Sequence, residues 1–195
     1  MPQLQDQALQ QLFTEARTHH VWPPQTIDDA TIFALYDLCK WGPTSANTCP
    51  MRIVFVRSAT EKDKLLTCVA PFNTEQVRAA PVTAIIAFDS KFYDQLPKLS
   101  PFYDYRPMFA SNPAIAEINA MRNGSIQGGY FILAARALGL DCGPMSGFDN
   151  AAVDAAFLAG TDWRSNFLCN IGHADASKVY PRAPRLAFAE ACKIV

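Results

Sequence analysis

The residues of this chain that are able to do chemistry lie in two polar loops and in two basic sites at opposite ends of the sequence. Arg17 stands near the amino terminus, while Arg182 and Arg185 stand in a basic, proline-rich tail, Lys178–Arg185. A guanidinium binds phosphate oxygens bidentately, so arginines drawn from both ends would make a split phosphate clamp. Sequence spacing does not say whether the ends meet, and either site alone reads as solvated surface charge. The first loop is Pro43-Thr44-Ser45-Ala46-Asn47-Thr48-Cys49-Pro50. The second, Gly143-Pro144-Met145-Ser146-Gly147-Phe148, is punctuated by glycine and on its own reads as an ordinary turn between helices.

Other kinds of site are excluded by pattern. No Gly-x-Gly-x-x-Gly follows a strand; Gly139-Leu140-Asp141-Cys142-Gly143 follows a helix with the wrong spacing. A phosphate-binding P-loop, a Gly-x-Ser-x-Gly elbow and a His-Glu-x-x-His motif are all missing. The six cysteines are scattered without a Cys-x-x-Cys, and none pairs with His19, His20 or His173 at ligand spacing. That argues against zinc and against a disulfide framework.

The elements that must position these residues follow from periodicity. Leu4, Ala8, Leu9, Leu12, Phe13 and Ala16 predict a helix from about Gln3 to Thr18, closed by Arg17. A second helix starts at Thr26-Ile27-Asp28-Asp29, with Thr26 and Asp29 at capping-box spacing, and stops at Trp41-Gly42-Pro43. Arg52–Arg57 and Pro81–Phe88 read as buried strands, with a short helix from Thr60 between them. Ser125–Leu138 is apolar nearly all round, so it reads as a central buried helix with Gly139 as its C-cap. Asp149 caps a helix over Ala151–Leu158, and Asn166–Gly172 is a third strand. Between these, Phe92, Tyr93, Phe102, Tyr103, Tyr105 and Phe109 crowd one segment, against 11% aromatic residues overall. It reads either as a core-covering insertion or as an aromatic lid over a flat ligand. The class is α+β, with five to seven helices around a short, mainly antiparallel sheet.

Composition sets the outer bounds. The 195 residues are 50% apolar and 18% charged, which fits one globular domain over 1–195 and excludes a disordered chain. Seventeen cations against eighteen anions leave no footprint for nucleic acid or an anionic membrane. The longest uncharged run, Asn123–Ala135, is too short to span a bilayer. The first residues lack the pattern of a signal peptide, so a cytoplasmic protein is expected.

Taken in order from about Leu9 to Ala191, these segments resemble the FMN-dependent nitroreductase superfamily. The carrying residues are Thr14-Glu15-Ala16-Arg17-Thr18-His19, then Lys40-Trp41-Gly42-Pro43-Thr44-Ser45-Ala46-Asn47. They continue with Ala137-Leu138-Gly139-Leu140-Asp141, Gly143–Asp149, Asn170-Ile171-Gly172, Ser177-Lys178, Pro184-Arg185-Leu186 and Glu190-Ala191. The likeness is greatest to the branch named for malonic semialdehyde reductase (3-hydroxypropionate-forming) of pyrimidine degradation.

The resemblance implies an intertwined homodimer with FMN at the subunit interface and NADH or NADPH as electron donor. It implies that Arg17 and Arg185 hold the FMN phosphate, with Thr18 and His19 beside Arg17. It implies that Thr44, Ser45 and Asn47 reach the flavin, the serine from the partner subunit. Pro144, Met145, Ser146 and Gly147 would lie along the isoalloxazine, where small residues permit close approach. The sequence lacks the family's second arginine after the first and its tail lysine, so the third phosphate contact falls to Arg182 or His19. For a carboxylate-bearing acceptor such as malonic semialdehyde, Arg52 or Arg106 would hold the acid group. No metal and no covalent nucleophile are needed, because the flavin carries the hydride. The alternatives are a broad nitroreductase or quinone reductase, and a non-catalytic flavin-binding sensor or carrier.

Overall fold

The two aliphatic runs at 51–56 and 82–89 pair with each other and begin a four-stranded sheet. The computed structural model describes residues 2–195. Its strands are β1 (Met51–Val56), β2 (Val82–Asp89), β3 (Asp141–Met145) and β4 (Trp163–Gly172), in the order β1-β2-β4-β3. All three pairings are antiparallel. The helices are α1 (Asp6–Leu9), α2 (Asp29–Cys39), α3 (Ala59–Leu66), α4 (Thr74–Ala79), α5 (Leu96–Leu99), α6 (Arg106–Ala110), α7 (Pro113–Ala137), α8 (Asn150–Phe157) and α9 (Phe188–Ala191). Helices exceed the expected number because α1, α5, α6 and α9 are single turns that leave little periodic signal.

Alternation along the strands splits the core into two layers. Val82, Ala84 and Ile86 of β2 join Cys169 and Ile171 of β4 beneath α2 and α7, against Leu35, Cys39, Phe131 and Ala135. Ile85 and Leu168 face the other way, onto Leu65 of α3, Val77 of α4 and Val153 of α8. That second face also buries a lysine. Lys62 Nζ donates to the Val77 carbonyl at 2.8 Å and to Thr83 Oγ1 at 2.7 Å, and Thr83 Oγ1 donates to Asn170 Oδ1 at 2.6 Å.

Several boundaries differ from expectation for local reasons. The first helix is α1 continued by a wide turn over Gln10–Thr14, so Arg17 does not close it. Residues 18 and 19 are extended instead, because their backbone bridges β3. Helix α2 is capped by Asp28, whose Oδ1 accepts from Thr31 N–H at 2.8 Å, rather than by a Thr26–Asp29 box. Helix α7 begins at Pro113, well before Ser125, with Asn112 as its cap. It is not buried all round: Ile118, Met121, Ile126 and Tyr130 point outward. Gly139 (φ +76°) closes it, with Leu140 N–H on the Ala135 carbonyl and Gly139 N–H on Arg136. The last strand extends back to Trp163. The aromatic segment divides: Phe92 and Phe109 are fully buried with Leu96, Ala116 and Ala120 in a satellite core, while Phe102 is 98% exposed.

Candidate active site

The site is built on β3, an edge strand. Its inner edge pairs with β4, and Pro144 lies opposite Cys169, where an edge position tolerates the missing N–H. The first half of the glycine-punctuated loop is therefore strand. The outer edge of β3 is covered by residues 18–19: Thr18 bridges Cys142, and His19 N–H donates to the Cys142 carbonyl at 3.0 Å. A Cβ on Gly143 would lie 2.5 Å from the His19 carbonyl oxygen, so only glycine lets this segment close. That closure sets Arg17 beside the end of α7.

The tail is stitched to the same segment. The Arg17 guanidinium donates to the Tyr180 carbonyl, Arg182 Nη2 donates to the Ala16 carbonyl at 3.1 Å, and Asp175 N–H donates to Val21. The rings of His20 and Tyr180 lie 4.4 Å apart. Between the two ends lies a cleft of about 490 Å³ lined by Arg17, Thr18, His20, Arg136, Arg182 and Arg185, among others. No carboxylate lines it, and among the described residues none of the four arginines has a carboxylate within 4.0 Å. Four uncompensated guanidinium groups around one cavity make a site for a multiply charged anion.

The remaining sequence-derived residues separate into groups. His19 is 6% exposed and turned inward, its Nε2 3.2 Å from Asp141 Oδ1; it does not line the cleft, whereas His20 does. Burial pushes the His19 pKa below that of a free histidine; the Asp141 carboxylate opposes this, and the charges of Arg17 and Arg136 add to it.

Ser146 and Gly147 follow the last ladder pair of β3, Met145 with Leu168. The Gly147 carbonyl accepts from Ala70 N–H and from Asn73 Nδ2, each at 2.9 Å. This fixes the peptide plane at the end of β3. Ser146 and Gly147 line a cavity of about 430 Å³ with Cys68, Ala70 and Asp149.

Thr44, Ser45 and Asn47 do not line the arginine cleft. Their turn holds Ala46, Asn47 and Cys49 at φ 51°, 52° and 39°. Left-handed backbone is unfavourable for Ala46 and Cys49 by about 1–2 kcal/mol each, while asparagine tolerates it better. It is held by Asn123, whose buried Oδ1 accepts from Ser45 N–H at 2.8 Å, and by Thr44 Oγ1, which accepts from Cys49 N–H at 3.1 Å. Asn47 Nδ2 donates to the Leu99 carbonyl at 2.7 Å, which ties the turn to the aromatic segment.

Arg52 and Arg106 also lie outside the cleft. Arg52 Nη2 meets Asp89 Oδ2 at 2.8 Å and its Nη1 donates to the Cys49 and Met51 carbonyls. Arg106 forms a two-pronged pair with Asp104, both contacts at 3.0 Å.

Sequence reasoning missed Arg136, His20 and Tyr180 in the cleft, and Asn73 beside Gly147. Arg136 left one signal, as the charge that ends the long uncharged run from Asn123. The others are single polar or aromatic residues without a pattern. Among the described residues no helix is long and apolar enough to cross a membrane.

Residues 5–173 match the model of the nitroreductase family. A protein of Rhodopseudomonas palustris described as "Putative NADH dehydrogenase/NAD(P)H nitroreductase" is 55% identical over 98% of both chains. A protein of Ralstonia nicotianae with the same description is 51% identical over the full length of both. In fold, the chain superposes with a TM-score of 0.84 on a crystal structure from Exiguobacterium sibiricum described as "a putative nitroreductase in complex with FMN". That match covers all of both chains at 19% identity. With the family model spanning the sheet, α7 and one wall of the cleft, and relatives similar over nearly its whole length, this chain belongs to the nitroreductase family.

Proposed function

We propose that this chain is an FMN-dependent oxidoreductase of the cytoplasm that passes hydride from NADH or NADPH to a small electrophile, malonic semialdehyde, giving 3-hydroxypropionate. One observation carries the reading: four arginines from three parts of the chain line one cleft that contains no carboxylate. That donor set fits the dianionic phosphate of FMN. When bound, FMN supplies the two-electron relay between nicotinamide and acceptor.

The chain's own residues supply binding and orientation. Arg17, Arg182 and Arg185 hold the phosphate, with the Thr18 hydroxyl beside them. The backbone from Pro144 to Gly147 flanks the ring system, and its N–H groups favour negative charge that develops there. The turn holding Thr44, Ser45 and Asn47 is separate from the cleft, which suits contact with the flavin held by a second copy. A homodimer is further supported by exposed Phe33, Tyr36 and Trp41 on or just after α2, and by Ile118, Met121 and Ile126 on α7. Apolar side chains in such numbers on packed helices are what an interface covers.

A second reading, broad reduction of nitroaromatics and quinones, is favoured by a specific observation. Arg52 and Arg106 are each already paired with an aspartate, leaving neither guanidinium free for an acceptor carboxylate. The relatives' descriptions as NAD(P)H nitroreductases point the same way. Comparing kcat/KM for malonic semialdehyde, a nitroaromatic and a quinone, with the FMN-loaded protein, separates the two. A value for the semialdehyde at least tenfold above the others supports the first reading; equal or inverted values support the second.

A further inference from the structure

We propose that Arg136 is a phosphate-holding residue of this site, acting with Arg17, Arg182 and Arg185; the proposal rests on the reading of the cleft as the FMN phosphate site. Arg136 lies in the last turn of α7 and is half-buried. Its Nη1 donates to the Leu12 carbonyl at 2.9 Å, and its own carbonyl accepts from Gln11 Nε2 at 2.7 Å. The backbone and one arm of the side chain are thus fixed against the amino-terminal segment. Arg136 and Arg17 line both the 490 Å³ cleft and a neighbouring one of about 360 Å³.

A cation at a helix carboxyl terminus commonly serves the helix dipole, and an exposed one needs no other explanation. Arg136 differs in three respects. It is half-buried, it has no carboxylate within 4.0 Å among the described residues, and it converges with three other unpaired arginines. Burying a cation beside like charges is unfavourable unless an anion joins them. Asp141, which lines the neighbouring cavity, is engaged by His19 through Oδ1 and by Ala174 N–H through Oδ2. A phosphate monoester carries close to two negative charges at neutral pH and enough acceptor oxygens to meet several guanidinium groups. Arg136 therefore adds a fourth guanidinium to the contacts of Arg17, Arg182 and Arg185, where His19 is turned inward.

The test is equilibrium dialysis of the full-length protein and its variants Arg136→Gln and Arg136→Lys against FMN and, separately, riboflavin, which lacks the phosphate. The expected result is that Arg136→Gln weakens FMN binding at least tenfold and leaves riboflavin within twofold. Arg136→Lys, which keeps the charge but not the planar fork, should fall between. Unchanged FMN affinity in Arg136→Gln, or equal weakening of both flavins, overturns the proposal in favour of a purely structural role. If Arg136→Gln does not fold, the lysine variant decides: FMN weakened with riboflavin unchanged supports the proposal, and no difference overturns it. A wild-type protein that binds FMN no better than riboflavin overturns the phosphate reading of the cleft and this proposal with it. Wild-type preference for FMN that is undiminished in Arg136→Gln overturns the proposal alone.

Discussion

Arg17 and Tyr180 hold the two ends of the chain together: the Arg17 guanidinium donates to the Tyr180 carbonyl, and two residues on Arg182 reaches back to Ala16. The tail is therefore a wall of the site. Replacing Arg17 by alanine should both loosen the tail and remove one cation from the cleft proposed to hold the FMN phosphate. A hydrogen bond to a charged group contributes roughly 1.5–3 kcal/mol. The expected loss in FMN affinity is therefore about ten- to a hundredfold, with faster tryptic cleavage at Lys178 and Arg182. Affinity and cleavage rate both equal to wild type would detach Arg17 from either role.

Gly143 tests how the site is closed. A Cβ there meets the His19 carbonyl oxygen at 2.5 Å, a backbone atom that moves only if residues 18–19 leave the edge of β3. Gly143→Ala should lower stability by about 1–3 kcal/mol, the range for overpacking a tight contact. It should also displace Arg17 and weaken FMN binding. Urea midpoints and flavin retention read both, and a variant as stable as wild type would show that the edge is looser than described.

The buried Lys62 gives a pH signature. Burial lowers its pKa from 10.5 to about 8. Below pH 8 the lysine is charged in folded and unfolded chains alike, and the desolvation penalty is fully present. Between pH 8 and 10.5 the unfolded chain binds more protons, so stability rises with pH across that window. Relative to Lys62→Met, wild type should gain roughly 2 kcal/mol between pH 7 and 9.5. Parallel urea titrations at the two pH values check this; parallel changes in both proteins would place the lysine near its ordinary pKa.

The exposed face of α7 predicts assembly. Glutamate at Ile118, or at Met121, should shift a dimer to monomer by sedimentation and lower flavin content, because the Thr44–Asn47 turn would then lack its neighbour's flavin. A protein that is monomeric at micromolar concentration with full flavin content contradicts the two-subunit site.

The core strands and most helices were legible because their patterns are local. The apolar run in 82–88 and the period of 32–39 are set by neighbours in sequence. The apolar period through Ala16 overstates the first helix, because it cannot reveal that Thr18 and His19 pair with an edge strand formed over a hundred residues later. For the same reason Gly143 and Pro144 read as loop: a short edge strand containing proline carries no strand signal. In the site, Arg17, Arg182 and Arg185 were legible by residue type, but their meeting depends on the Tyr180 and Ala16 hydrogen bonds. The resemblance sets His19 beside Arg17 as a candidate phosphate contact, whereas the ring is buried against Asp141 and His20 lines the cleft. Arg136 was hidden because a single charge at a helix end has an adequate explanation of its own.

The most direct test of the central claim is the visible absorption spectrum of the purified protein, before and after anaerobic NADH and NADPH. A flavin band that bleaches with one of the two nucleotides, and returns on adding an acceptor, is the expected result. A protein without flavin that neither binds added FMN nor gains thermal stability from it would contradict the reading of the arginine cleft at its root.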